Sequence, residues 1–399
     1  MCTTTKGTQA AGQDAVRQTP PNVIPLAAYL QKAVTASAAK LVPASPPPLP
    51  PNVKSTHVAF SLWPLLSDAT SGYYAGIYDD ETDFSASLVK VAAMFAAGQF
   101  HAEATAFAQG YAAWAPFLSA FNTSLQAEIN ATADARILTA NFFLKPQTAA
   151  MLKQSAFPSI VFADGFRNNL AQMIVASDDP SAAVCTKALG YGYISTALKK
   201  ENFFDSNTSN GIWLAGTYDG VSPYVRIPCV NDHDDAQLTT TRLMCKLFSM
   251  IRLKQLPEND LDANTQMQGW LNEPKSAVNG YDPTMPWLST GRNPGVAPLF
   301  SILQDKIGYA GLGSNDTPNV YSEGLIIQWT DQSKVDSFNK IIDPTNANPG
   351  IHLSGEIAVC WQNLLAEIIP GGTVATPMFD PIIDVINDSL RDFLTQAAL

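Results

Sequence analysis

Apolar residues in this chain gather into a few long runs separated by polar and proline-rich stretches. Positions 1–23 are polar and carry no periodicity. From 23 to 41, Leu26, Tyr29, Leu30 and Val34 recur at helical spacing, which predicts a helix with one apolar side. PASPPPLPPNV follows, a polyproline-type spacer rather than an element. Two strand-like runs, 57–65 and 73–78, lead into an acidic turn, Asp79-Asp80-Glu81. Residues 84–98, FSASLVKVAAMFAAG, are rich in helix formers and nearly all apolar after Lys90, which predicts a buried helix. The Ala-rich stretch 101–143 predicts helices broken near Pro116 and Asn122. The last run, PIIDVINDSLRDFL, is apolar at 382, 383, 385, 386, 390, 393 and 394, an amphipathic helix. There is no internal repeat.

With 399 residues, 46% of them hydrophobic, the chain is long enough for a large core, one main domain with appendages. The net charge of −11 argues against nucleic acid or an anionic membrane as partner. No apolar run reaches the length of a transmembrane segment. Cysteines stand at 2, 185, 229, 245 and 360, with no C-x-x-C and no metal-ligand spacing, so neither metal nor cofactor is expected. The Met1-Cys2 start, followed by small polar residues, has two readings: a plain N-terminal cysteine, or a lipid anchor at Cys2 whose signal sequence was replaced by a start codon. Together with the low charged fraction of 15%, this leads us to expect an exported protein: periplasmic, secreted or anchored to the envelope.

Three short motifs carry the candidate chemistry. Ser87-Leu88-Val89-Lys90 sets a serine and a lysine three apart, on one side of a helix. A serine hydroxyl needs a base beside it, and burial lowers a lysine pKa enough for the neutral amine to serve. A second ammonium, from Lys306, would push in the same direction. Backbone N–H groups near a helix start suit a developing oxyanion. Ser177-Asp178-Asp179 comes second and Lys306-Ile307-Gly308 third. Each has a plain structural reading: a lysine snorkelling from a buried helix, an Asp179-Pro180 helix start with Asp179 as N-cap, and an edge lysine before a glycine turn. A second S-x-x-K, Ser37 to Lys40, shows how cheap one motif is. Ser37 lies before the proline spacer and is expected to be inert, outside the core.

In this order, and in these surroundings, the motifs resemble the S-x-x-K, S-D-N and K-T-G signature of class A β-lactamases and penicillin-binding proteins. Two strands, a turn and a serine-bearing helix is how that fold begins. FRNNLAQMIVASDDPSAAV looks like the helix-turn-helix that presents the middle serine. QLTTTRLMCKLFSMIRLKQLPENDLDANTQMQGWL resembles the threonine-started helix with its following helix, and KIGYAGLG with VYSEGLIIQW resembles the third-motif strand and its neighbour. The resemblance spans 58–369, about three quarters of the chain. It implies an α/β, β-lactamase-like serine hydrolase fold, an antiparallel sheet flanked by helices plus a helical subdomain. Domain boundaries would fall at 1–53 for the polar segment, helix and linker, 54–370 for the hydrolase domain, and 371–399 for a helical extension.

The resemblance assigns Ser87 as nucleophile, Lys90 as base, and Ser177 as proton shuttle bonded to Lys306. The backbone N–H groups of Ser87 and Tyr309 would form the oxyanion hole, with Asp179 and Gly308 against the substrate. Three departures matter. Asp179 replaces an Asn and cannot donate a hydrogen bond to a substrate carbonyl. Ile307 replaces a hydroxyl residue that holds a substrate carboxylate in the family. No W-E-P-E-L-like segment supplies the glutamate that activates water, which leaves Asp219, His233 and Asp235 as deacylation candidates. Asp232 to Asp235 also fit a salt-bridging or helix-capping stretch. The aromatics Phe203, Phe204, Trp213, Tyr218 and Tyr224 fit a broad apolar site or, better, the core. Three functions stay open: a serine hydrolase acting through an acyl-enzyme on a small-molecule or peptide-like amide or ester; a penicillin-binding-type protein that acylates and stalls; and a non-catalytic envelope protein that retains the fold. The first two need Ser87, Lys90, Ser177 and Lys306, and all four are present.

Overall fold

Strands from opposite ends of the chain share one sheet. Phe300–Gly311, Asn319–Trp329 and Leu353–Leu365 form an antiparallel meander. Ala59–Leu66 joins the last of these, and Ala75–Ile77 lies beyond it, both antiparallel. The computed structural model describes residues 24–41, 57–66, 74–140, 144–204, 210–215, 225, 227–231, 237–255, 261–272, 286–289, 295–311, 319–342, 353–365, 368–369, 373–374 and 379–397. The proline spacer, Cys2 and the aromatics Tyr218 and Tyr224 lie outside them.

The central strands read as almost continuous apolar runs because helices cover both faces of the sheet. Side chains still alternate between the two layers. Ile307, Tyr321, Leu325 and Ile327 belong to one core, shared with the N-terminal helix Ile24–Ser37 and the C-terminal helix Asp380–Ala397. Leu30 and Val34 of the former, and Ile382, Ile383, Val385, Ile386 and Leu390 of the latter, are buried there. Ser37 is buried in this layer too, so its expected place outside the core is corrected: the helix it ends packs on the sheet. Val320 and Ile326 face the second core, with the helices Lys90–Ala108 and Thr241–Arg252.

The helix Lys90–Ala108 is the axis of the helical subdomain. From Lys90 to Ala102 its mostly small and apolar side chains are buried on every side, which is why that stretch shows no polar face. The helices Trp114–Thr132, Asp164–Val175, Asp179–Leu189 and Tyr191–Lys200 surround it. The architecture is thus α/β, an antiparallel sheet flanked by helices with a helical subdomain, in the element order that the resemblance implied.

Two helix boundaries differ from expectation. The helix expected over 84–98 begins only at Lys90, since Phe84 pairs in a short strand and Ala86–Val89 form a 3₁₀ turn. The breaks expected at Pro116 and Asn122 fall earlier, at 109–113. Pro116 is the third residue of Trp114–Thr132, within the first turn, where a missing N–H costs no hydrogen bond.

Candidate active site

The turn that carries Ser87 is held in an unusual conformation. Ala86 has φ of +49°, a left-handed backbone that costs an alanine on the order of 1–2 kcal/mol. Such strain persists only where neighbours over-determine it. Here Ser85 N–H donates to Gln237 O at 3.0 Å, and Phe84 N–H donates to Asn231 Oδ1 at 2.8 Å. Ser85 O accepts from Leu88 N–H at 3.2 Å and from Ser322 Oγ at 3.0 Å. A three-strand ribbon of Asp83–Phe84, Gln237–Thr239 and Trp213–Leu214 fixes the approach. Side chains three apart eclipse in a 3₁₀ turn, so Ser87 and Lys90 still project from one side. Ser87 is half-buried, and its Oγ makes no hydrogen bond among the described residues.

Ser177 sits between the helices Asp164–Val175 and Asp179–Leu189, itself left-handed with φ of +55°. Two lysines from distant parts of the chain reach it. Lys306 Nζ donates to Ser177 Oγ at 2.7 Å and to Ile307 O at 3.0 Å. Lys90 Nζ donates to Ser177 O at 2.6 Å and lies 3.5 Å from Ser177 Oγ. Both lysines are buried, at 0% and 1% exposure for Lys90 and Lys306. Lys90 also forms an ion pair with Asp179 Oδ1 at 2.5 Å. Burial lowers the Lys90 pKa below the ordinary lysine value, and the opposing pull of the Asp179 carboxylate does not restore it.

Strand Phe300–Gly311 brings the third motif against the first. It is the edge of the sheet, so alternate backbone N–H groups have no partner strand. Lys306 and Gly308 face the Lys90 helix, opposite Gly324 and Ser322 on the next strand. A Cβ on Gly308 would lie 2.0 Å from Ser85 O and 2.9 Å from Leu88 N. Only glycine therefore lets the strand touch the residues on either side of Ser87.

No protein-family model matches this chain, and no curated protein does. Solved structures do. A class A β-lactamase from Mycobacterium abscessus is similar over 93% of this chain and 100% of its own, with 11% identity and a TM-score of 0.41. A β-lactamase from Desulfarculus baarsii aligns over 92% and 97%, with 13% identity and a TM-score of 0.43. The transpeptidase domain of a D,D-transpeptidase from Legionella pneumophila aligns over 95% and 98%, with 11% identity and a TM-score of 0.37. These likenesses are distant.

The structure thus brings Lys90, Ser177, Asp179 and Lys306 into contact, with Gly308 packed against the turn that carries Ser87. One expectation changes, and two side chains find their places. The N-cap of Asp179–Leu189 is Asp178, which accepts from Ser181 N–H at 2.8 Å, and not Asp179. With the cap supplied one residue earlier, Asp179 is at the first helical position and turns to Lys90. Asp179 is thereby paired through Oδ1. Ile307 does not line the site: strand alternation sends its side chain into the opposite core, where it is 4% exposed. Tyr309 shares that face, its ring 4.9 Å from that of Tyr321, so only its backbone N–H is a candidate for the site. Asp219, His233 and Asp235 lie outside the described residues. Phe203 and Trp213 are core residues.

Sequence reasoning missed Ser322 and Asn231, which clamp the turn from the sheet and from the 227–231 segment. The signal for Ser322 was a small polar residue two places before Gly324, in a strand that is buried almost throughout. Asn231 left none, because its partner Phe84 is 147 positions away.

Proposed function

We propose that this chain is a serine hydrolase that forms an acyl-enzyme on an amide or ester, related to β-lactamases but not an efficient one. The observation that supports this reading is Ser177 Oγ, set between Lys306 Nζ at 2.7 Å and Lys90 Nζ at 3.5 Å, beside the strained turn that carries Ser87. In this scheme Ser87 Oγ attacks the substrate carbonyl and its proton passes to the neutral amine of Lys90. Ser177, polarised by Lys306, carries a proton to the leaving group. The N–H groups of Ser87 and Tyr309 hold the oxyanion, and water then attacks the acyl carbon to free the serine. Asp219, His233 and Asp235 remain the candidates to activate that water. Export, with or without an anchor at Cys2, belongs to this proposal.

One observation favours a second reading, acylation that stalls: the interval before the threonine-started helix lacks the family's glutamate segment. Mass spectrometry after treatment with a fluorophosphonate should show one adduct, on Ser87, absent in Ser87→Ala. An adduct that persists in that variant, or that falls on Ser37, defeats the assignment. Nitrocefin and p-nitrophenyl ester hydrolysis measured side by side then separate the two readings. We expect the ester to turn over and nitrocefin to be slow, with a long-lived acyl-enzyme. Nitrocefin turnover at tens per second, the pace of an ordinary enzyme, would exclude both the weak β-lactamase and the stalled form.

A further inference from the structure

The Lys90–Asp179 pair has one end in the protein and one end in water. The Lys90 side chain is 0% exposed, whereas that of Asp179 is 62% exposed. Asp179 Oδ1 holds Lys90, and Oδ2 has no hydrogen-bond partner among the described residues. Helix capping does not require this carboxylate, since Asp178 does that work. An aspartate here accepts hydrogen bonds and repels carbonyl and carboxylate oxygens. The hydroxyl that would receive a substrate anion is absent, because position 307 is an isoleucine facing the other side of the sheet. An ion pair is also a poor resting state for a base: the Asp179 carboxylate pulls Lys90 toward its ammonium form against the effect of burial, and an ammonium has no lone pair for the Ser87 proton.

Taking the serine hydrolase reading as its basis, we infer that Asp179 selects substrates bearing a cationic group, an ammonium or guanidinium, near the scissile carbonyl, and that engaging this group releases Lys90 to act as the base. The substrate cation takes the exposed carboxylate as its partner. Shared with that cation, the carboxylate holds Lys90 less strongly, and the buried ammonium, now near a second positive charge, gives up its proton to solvent. The neutral amine accepts the Ser87 proton as Oγ attacks. No bond is made or broken in the release step beyond that one N–H. Anionic substrates lack this route, because they meet the carboxylate directly and leave the pair closed.

The test uses three fluorophosphonates of equal length, ending in trimethylammonium, an uncharged group or a carboxylate. The second-order rate of Ser87 labelling is followed by mass spectrometry. In the natural protein the cationic probe should react about tenfold or more faster than the uncharged one, and the anionic probe slowest. In Asp179→Asn the helix cap is intact, so the fold should hold. There the three rates should converge to within a few-fold, and the uncharged probe should react faster than it does with the natural protein. Labelling with equal rates, or with the anionic probe fastest, overturns the inference and leaves the hydrolase reading standing. A preference for the cation that survives Asp179→Asn assigns specificity elsewhere and overturns it too. No labelling of Ser87 by any probe removes the hydrolase reading, and the inference falls with it.

Discussion

Lys90 shows how one side chain balances two opposed demands. Full burial disfavours its ammonium, and the Asp179 carboxylate favours it; burial prevails. A base must be neutral, so the labelling rate of Ser87 should rise with pH and level off at an inflexion below the ordinary lysine value. Asp179→Asn removes the raising influence and should move that inflexion lower still. Lys90→Arg keeps the positive charge but cannot lose a proton in the working pH range. Labelling by an uncharged probe should fall about 10²- to 10⁴-fold, the usual worth of general base catalysis. A rate within a few-fold of the natural protein would mean that Lys90 serves only to hold Ser177 and Asp179 in place.

At the scale of elements, the site exists where a strand edge meets a turn. Gly308 makes that approach possible, its missing Cβ leaving room for Ser85 O and Leu88 N. Both of those neighbours are backbone and cannot rotate away. Gly308→Ala should therefore push the strand off the turn and carry Lys306 with it. Overpacking of this kind typically costs about 1–3 kcal/mol. We expect a lower urea midpoint at unchanged slope, together with loss of Ser87 labelling. A variant with the natural midpoint and labelling rate would show that strand and turn are not in contact. The turn was legible only in part from sequence. The S-x-x-K spacing placed Ser87 and Lys90 together, but in an α-helix; the pairing of Phe84 with Leu238 and the left-handed Ala86 converted its first residues to a strand and a 3₁₀ turn.

For the whole molecule, the acidic turn that joins the N-terminal hairpin to the Ser87 turn is buried rather than solvated. Asp79 is 1% exposed, and neither carboxyl oxygen has a hydrogen-bond partner among the described residues. Burial raises its pKa from 3.8 to about 6, with Asp80 adding to the rise and Arg242 opposing it. Asp83 is raised well above the usual range by burial, and Glu81 is raised as well. A carboxyl that binds its proton more tightly when folded contributes stability that is present in full below the unfolded pKa and is lost as pH rises through the folded one. For Asp79 that window runs from 3.8 to about 6. The shift corresponds to a loss on the order of 3 kcal/mol across it. Urea midpoints from pH 4 to 7 should fall more steeply in the natural protein than in Asp79→Asn, whose neutral amide does not titrate. Parallel profiles would show that Asp79 is hydrated.

The amino-acid sequence by itself determined the layers and the candidate residues of the site. Apolar periodicity located both strands of the N-terminal hairpin and the helices at 24–37 and 380–397, because each element must bury one side or all of it. Residue chemistry and motif order singled out Ser87, Lys90, Ser177 and Lys306. Tertiary structure alone decided which groups face one another. Whether position 307 lines the site depends on which side of the strand Lys306 takes, and that follows from packing in two separate cores. Whether Asp179 caps its helix or pairs with Lys90 depends on where the helix starts, a matter of one residue settled by Asp178. The clamp on the Ser87 turn joins residues more than a hundred positions apart. Local sequence carries no record of such contacts, since they form only when burial of the sheet brings the two ends of the chain together.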